Sequence, residues 1–318
     1  MRRVLLVGAT GSIGRATAQA LVDAGCAPVA IVRPGREVQM PAGVEVRQAN
    51  VRDAASLAGD AFRGERFDAV ISCLASRTGA PKDAWAIDDG ANRAVLTEAQ
   101  RCGVPHFVLL SAICVQKPRL AFQHAKLAFE ETLAESGIRY SIVRPTAFFK
   151  SLSGQVERVK RGKPFLLFGD GALTACLPIS DADAARYLVE CIADESRWNR
   201  VLPIGGPGPV LTLREQGMLL FELTGQPPKF RSVSPKLLLV VASLLDAVGA
   251  LIPPLLDKAE FARIGHYYAT ESMLLWDEAR GRYDADATPR YGRDTLREHY
   301  AQLLRGEIGD DRGAHAVF

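Results

Sequence analysis

An α/β fold built on a doubly wound parallel sheet is what this sequence predicts, and three observations predict it. Short, nearly continuous apolar runs alternate with helix-length segments through the first half of the chain. Glycine closes three of those helical segments, and a glycine-rich turn follows the first apolar run directly. Uninterrupted apolar strands are those covered on both faces, and alternating strand and helix units give a parallel sheet.

Taken in order, Val4–Val7, Val29–Val32, Val44–Arg47, Ala69–Ser72, Phe107–Ser111 and Tyr140–Arg144 read as strands. Ser12–Ala24, Ala54–Gly59, Asp83–Cys102 and Leu120–Ser136 carry the helical patterns between them. Gly25, Gly103 and Gly137 stand where a left-handed residue ends a helix. After Pro145 the rhythm changes. Phe165–Phe168 and Val201–Ile204 are strand candidates among helices at Asp181–Ala193 and Thr212–Thr224, with Pro and Gly dense at residues 205–209.

The first strand runs straight into Gly8-Ala9-Thr10-Gly11-Ser12-Ile13-Gly14, and a helix begins at Ser12. Glycine at positions 8 and 11 permits a tight turn and close approach of the backbone to a pyrophosphate. Gly14 lets the helix pack on the strand, and the free N–H groups of the helix start face the phosphates. In this strand–turn–helix setting the motif predicts a dinucleotide-binding Rossmann domain. Arg33 follows the second strand, where an acidic residue would bind a ribose 2′-hydroxyl. A guanidinium suits a 2′-phosphate instead, so Arg33 with Arg36 points to NADPH. Residues 1–150 are therefore read as the NADP-binding Rossmann domain. Residues 151–318 are read as a smaller, mixed, mostly helical substrate-binding part with segments packing back on that domain.

Composition narrows the class further. A length of 318 residues suits two domains or one large α/β domain. With 48% hydrophobic and 24% charged residues, extensive disorder is excluded. The net charge of +3 supplies no field for nucleic acid. The apolar run Val4–Val7 is too short for a signal-peptide core, and the six cysteines are scattered without a C-x-x-C pair. They read as reduced thiols of a cytoplasmic protein, with no disulfide scaffold and no metal site.

Ligands of an open parallel sheet sit at the carboxyl ends of the strands. Ser111, Pro145 and Thr146 fall there, and Phe122 and Lys126 share one face of the helix that follows Ser111. The glycine loop, Arg33 and the Ser…(Tyr)-x-x-x-Lys arrangement resemble the atypical short-chain dehydrogenase/reductases over roughly residues 1–150. The resemblance implies Ser111 and Lys126 as catalytic residues, with Lys126 holding the nicotinamide ribose, and Pro145 and Thr146 beside the cofactor. Phe122 stands where that superfamily carries its acid tyrosine, which puts simple carbonyl chemistry in doubt.

A closer resemblance covers nearly the whole chain. The stretches at 109–131, 142–155, 168–171 and 269–277 are similar to the divinyl chlorophyllide a 8-vinyl-reductase family. Members use NADPH to reduce the 8-vinyl group of a tetrapyrrole to ethyl. The resemblance implies a tetrapyrrole substrate, with Phe122, Phe148 and Phe149 as aromatic contacts; core packing is the competing reading of the last two. A non-catalytic NADP(H)-binding redox sensor or photosynthetic assembly factor of the same superfamily is the alternative.

Leu237–Leu256 is densely apolar and carries a single charge, Asp246. Asp246 and Pro253-Pro254 weigh against a membrane span. A buried helix or one wall of an apolar pocket is favoured, with shallow contact at a photosynthetic membrane as a third reading.

Overall fold

Leu5 sits at the centre of a row of residues that crosses the main sheet. In the computed structural model, which describes residues 1–36, 38–249, 252 and 254–309, six strands carry this row. They are β1 (Arg3–Val7), β2 (Ala27–Val32), β3 (Glu45–Gln48), β4 (Ala69–Ser72), β5 (His106–Leu110) and β6 (Arg139–Pro145). Leu5 pairs with Val29 on one side and Val70 on the other, and Phe107 and Tyr140 continue the row. All these ladders are parallel. The strand Arg200–Ile204 lies beyond β6 and completes a seven-stranded sheet of order β3-β2-β1-β4-β5-β6 and then that strand. Asn199 N–H donates to Tyr140 O, and Thr146 N–H donates to Ile204 O, so this strand also runs parallel.

Strand order reverses between β1 and β4, which creates the crevice where ligands of doubly wound sheets bind. Leu5, Val29, Val70, Phe107 and Ile142 pack with Phe129 of the helix Ala121–Glu135 in one core. β3 differs from the central strands. It is an edge strand whose single buried side chain is Arg47, held by Glu45, Glu65 and the Ala61 carbonyl. The helices predicted over 54–59 and 83–102 each contain a wide π-helical stretch, at Leu57–Phe62 and Trp85–Ala91.

The chain forms two compact units. The first comprises Met1–Ser76, Lys82–Pro145 and Asp181–Pro203, and the second comprises Arg77–Pro81, Thr146–Ser180 and residues from Ile204 onward. The division thus falls at Pro145, and the helix Asp181–Glu190 counts with the first unit, where it packs on the helix Ser12–Asp23. The second unit has its own core of Phe149, Phe165, Leu220, Phe221 and Tyr300.

The apolar segment of the second unit is corrected by the structure. It forms a hairpin of the helices Lys236–Gly249 and Pro254–Thr270, pinned by an Asp246–Arg263 ion pair. The first helix buries only Ala242 and Gly249. Leu237, Val240, Leu244 and Val248 are exposed by 53%, 54%, 64% and 47%. The segment is therefore not a buried helix. Pro253 lies outside the described residues, and no described helix is long and apolar enough to cross a membrane.

Candidate nucleotide site and active site

The turn after β1 answers the question its glycines raise. Gly8 has φ +77°, and a Cβ there would lie 2.5 Å from the Cys73 carbonyl carbon and oxygen after β4. A Cβ on Gly14 would come within 2.2 Å of Gly8 O. Both positions are closed to side chains by the fold itself. Gly11 is different. Its Cβ would meet only Gly8 O, at an ordinary 3.5 Å, and its outer side is exposed. Among the described residues nothing demands glycine at position 11, and its open side leaves room for a pyrophosphate to approach the backbone. Gly11 also begins the helix Ser12–Asp23 without a side-chain cap, and no acidic residue occupies the first turn. The N–H groups of Ser12, Ile13 and Gly14 stay available to an anion. Arg15 braces the loop through bonds of 3.3 and 3.2 Å to Thr10 O. These residues fit a dinucleotide.

Arg33 and Arg36 follow β2 on a turn closed by Arg36 N–H to Arg33 O. Both side chains are exposed and enter no ion pair among the described residues. An uncommitted guanidinium at the end of β2 is what a 2′-phosphate site needs.

Lys126 lies on the helix Ala121–Glu135, whose start is held by Gln123. Its Oε1 accepts from Arg119 N–H at 2.7 Å and Leu120 N–H at 3.0 Å. The Lys126 ammonium reaches Asp88 Oδ1 at 2.9 Å. Burial works to lower its pKa, but the charge of Asp88 and their hydrogen bond prevail and leave it raised. Cys114 and Glu130 act on the same charge more weakly. Asp88 is 1% exposed and also accepts from Ser76 N–H, tying the loop after β4 to the lysine. Asn92, one turn on, donates to Asp88 O and accepts from Ser72 Oγ at the end of β4. Sequence reasoning missed Asp88. The π-helical turn disturbs the helical period, so spacing alone could not say whether Asp88 or Asp89 faces inward; Asp89 pairs instead with Arg93 on the surface.

Ser111 follows β5 directly, with its N–H on Val143 O at 2.7 Å. Its hydroxyl donates to Glu130, which is buried and held by the Arg144 guanidinium of β6. The hydroxyl proton of Ser111 is thus committed to a carboxylate, and Glu130 is the neighbour that Ser111 and Lys126 share. Phe122 is half-buried one turn before Lys126.

Pro145 ends β6, and the next predicted residues belong to the second unit. Thr146 donates its hydroxyl to Leu177 O. Phe148 is half-buried and pairs by backbone with Ile179. Phe149 is 4% exposed, packed in the core and tilted against the His299 ring at 5.4 Å. For Phe149 the expectation of a substrate contact gives way to core packing.

Comparison with known proteins agrees with this geometry. A family model described as NAD(P)H-binding matches residues 8–195. The fold is shared with an NADPH-dependent quinone oxidoreductase of Escherichia coli solved with NADPH, at TM-score 0.65 and 21% identity over 95% of this chain and 99% of that one. The chain is thus a member of the NAD(P)H-binding Rossmann-fold proteins. The curated relatives are more specific. Divinyl chlorophyllide a 8-vinyl-reductase, chloroplastic, of Zea mays is 46% identical over 99% of this chain and 82% of its own length. The protein of the same name from Cucumis sativus is 47% identical over 99% and 79%. The chain belongs to the divinyl chlorophyllide a 8-vinyl-reductase family.

Proposed function

We propose that the protein uses NADPH to reduce the 8-vinyl group of divinyl chlorophyllide a to an ethyl group. Near-full-length similarity to reductases of that name carries the reading over that of a non-catalytic sensor or assembly factor. The cofactor, bound at Gly8, Thr10, Gly11, Ser12, Ile13 and Gly14, supplies a hydride. A proton completes the ethyl group, so that one C=C bond becomes a C–C bond and NADPH becomes NADP⁺. Arg33 and Arg36 hold the 2′-phosphate, and Pro145 and Thr146 border the cofactor.

The residues around Lys126 suit this chemistry. Asp88 fixes the ammonium, which hydrogen-bonds the nicotinamide ribose while Ser111 and Glu130 hold the surrounding wall. Phe122 removes the phenol that a carbonyl reductase needs. Reduction of a conjugated C=C forms no alkoxide, and the negative charge spreads into the macrocycle before protonation, so an adjacent phenol has no oxygen to serve. Phe122 and Phe148 contact the substrate. The test is incubation of pure protein with NADPH and divinyl chlorophyllide a. The expected result is a Soret band moved to shorter wavelength and an 8-ethyl product on chromatography; unchanged pigment rejects the reading.

The protein is cytoplasmic, in peripheral contact with a photosynthetic membrane. The exposed face Leu237, Val240, Leu244 and Val248, with Lys236 and Lys258 exposed at the two ends of the hairpin, suits an anionic lipid surface. Flotation with anionic liposomes should carry the wild-type chain, and Leu244→Glu should reduce it. Equal flotation of both would remove the hairpin from this role.

A further inference from the structure

The chain has three tryptophans. Trp198 donates its indole N–H to Cys191 O at 3.0 Å and lies 3.7 Å beneath the Arg139 guanidinium. Trp276 packs edge-on against Tyr283 at 4.9 Å. Trp85 is 46% exposed and has no ring, hydrogen-bond or ion-pair partner among the described residues. A lone exposed apolar side chain needs no explanation. Three further facts single this one out.

Trp85 opens the π-helical stretch Trp85–Ala91 that carries Asp88, and such wide turns recur at functional sites. The helices bearing Asp88 and Lys126 also run in the same direction. Asp88 meets Lys126, Arg93 donates to Ala128 O at 3.0 Å, and Gln100 donates to Ser136 O at 2.9 Å, so the partners advance together. Trp85 precedes Asp88 by three residues and Phe122 precedes Lys126 by four, so both lie toward the same end of the ion pair. The Phe122 ring, half-buried, likewise has no ring partner among the described residues. Two aromatic rings without a ring partner among the described residues thus lie toward one end of the Asp88–Lys126 pair.

We propose that Trp85 is a substrate-stacking residue: with Phe122 it forms the aromatic face against which a flat conjugated macrocycle lies beside the Asp88–Lys126 pair. This rests on the reading of the protein as a tetrapyrrole reductase and assigns it a specificity residue. Indole offers a large rigid surface at little conformational cost, and its free N–H is a donor for an oxygen at the macrocycle edge.

The experiment compares the wild-type chain with Trp85→Ala and Trp85→Phe. It measures NADPH affinity, kcat and KM for divinyl chlorophyllide a, and binding of 8-ethyl chlorophyllide followed by the pigment's own fluorescence. Trp85→Ala should raise KM and the chlorophyllide Kd about tenfold, and Trp85→Phe should stay within about threefold of wild type. NADPH affinity and Tm should not change in either variant. Unchanged chlorophyllide binding in Trp85→Ala, or an equal loss of NADPH affinity, overturns the assignment. A wild-type chain that binds chlorophyllide but reduces nothing rejects the reductase reading alone, and the binding of Trp85→Ala then decides the stacking role. A wild-type chain that binds no chlorophyllide rejects both.

Discussion

The Lys126 ammonium and the Asp88 carboxylate form an ion pair at 2.9 Å between two parallel-running helices of the first unit, and Asp88 is wholly buried. The pair means that Lys126 reaches any ligand as half of a neutral unit with a fixed direction. A flexible surface cation would have neither property. On the proposed function, Asp88 is a positioning residue that acts through Lys126.

Removing one partner leaves the other buried and uncompensated, which costs about 3–5 kcal/mol. Lys126→Met should lower Tm as well as turnover, and Lys126→Met with Asp88→Asn should recover part of the Tm but no activity. Because Asp88 raises the Lys126 pKa against the pull of burial, Asp88→Asn should bring the alkaline limb of the kcat profile to lower pH. Without the Asp88 charge the ammonium loses its proton at lower pH, and the stability that the raised lysine pKa contributes, present below its unfolded value and lost as pH rises through the folded one, shrinks with it. An alkaline limb unmoved by Asp88→Asn would count against the positioning role.

The glycines of the first turn should separate fold from binding. Gly11→Ala places its Cβ at an ordinary 3.5 Å contact, so Tm should be nearly unchanged while NADPH binding is lost. Gly14→Ala drives a Cβ to 2.2 Å from Gly8 O and should lower both. Calorimetry and NADPH titration of the two variants check this, and normal NADPH binding by Gly11→Ala would refute the pyrophosphate assignment.

Arg33→Ala should weaken NADPH binding by about 1.5–3 kcal/mol, the range for a hydrogen bond to a charged group, and leave NADH nearly unaffected. Parallel titrations with the two cofactors read the difference directly. Equal losses for both would show that Arg33 does not meet the 2′-phosphate.

Phe122→Tyr should give no gain in vinyl reduction, since no carbonyl oxygen awaits a phenolic proton. A large increase in kcat from that single hydroxyl would sink the mechanism.

His106 sets an acid limit on stability. The ring is 1% exposed on β5, its Nε2 lies 3.1 Å from Ser141 Oγ, and burial followed by the nearby Arg139 charge lowers its pKa to about 4. With a folded pKa below the unfolded value, the unfolded state takes up the proton first. Stability is full above about pH 6.5 and is lost as pH falls toward about 4, by on the order of 3 kcal/mol. Denaturant unfolding across this range should show the slope, and His106→Asn should flatten it. An equal slope in the variant would place the acid sensitivity elsewhere.

By itself the sequence determined the architecture of the first unit and the place of its glycine turn. Both depend on local signals: continuous apolar runs mark strands buried on two faces, and Gly8 and Gly14 mark backbone that leaves no room for Cβ. The strands of that unit fall within a residue or two of where those runs lie. Only the tertiary structure decided which polar residues meet. Asp88 reaches Lys126 from 38 positions away in a stretch whose period is broken by a π-turn, and Glu130 gathers Ser111 and Arg144 from separate strands. The same holds for burial. Phe149 reads as a ligand contact beside a strand end, yet it is enclosed by helices drawn from 147 positions away at Leu296. The apolar run at 237–256 reads as a buried helix or a pocket wall, yet Leu237, Val240, Leu244 and Val248 face outward. A sequence states how apolar each side chain is; the partner that covers it, or fails to, is fixed by chain segments too distant for any periodicity to reach.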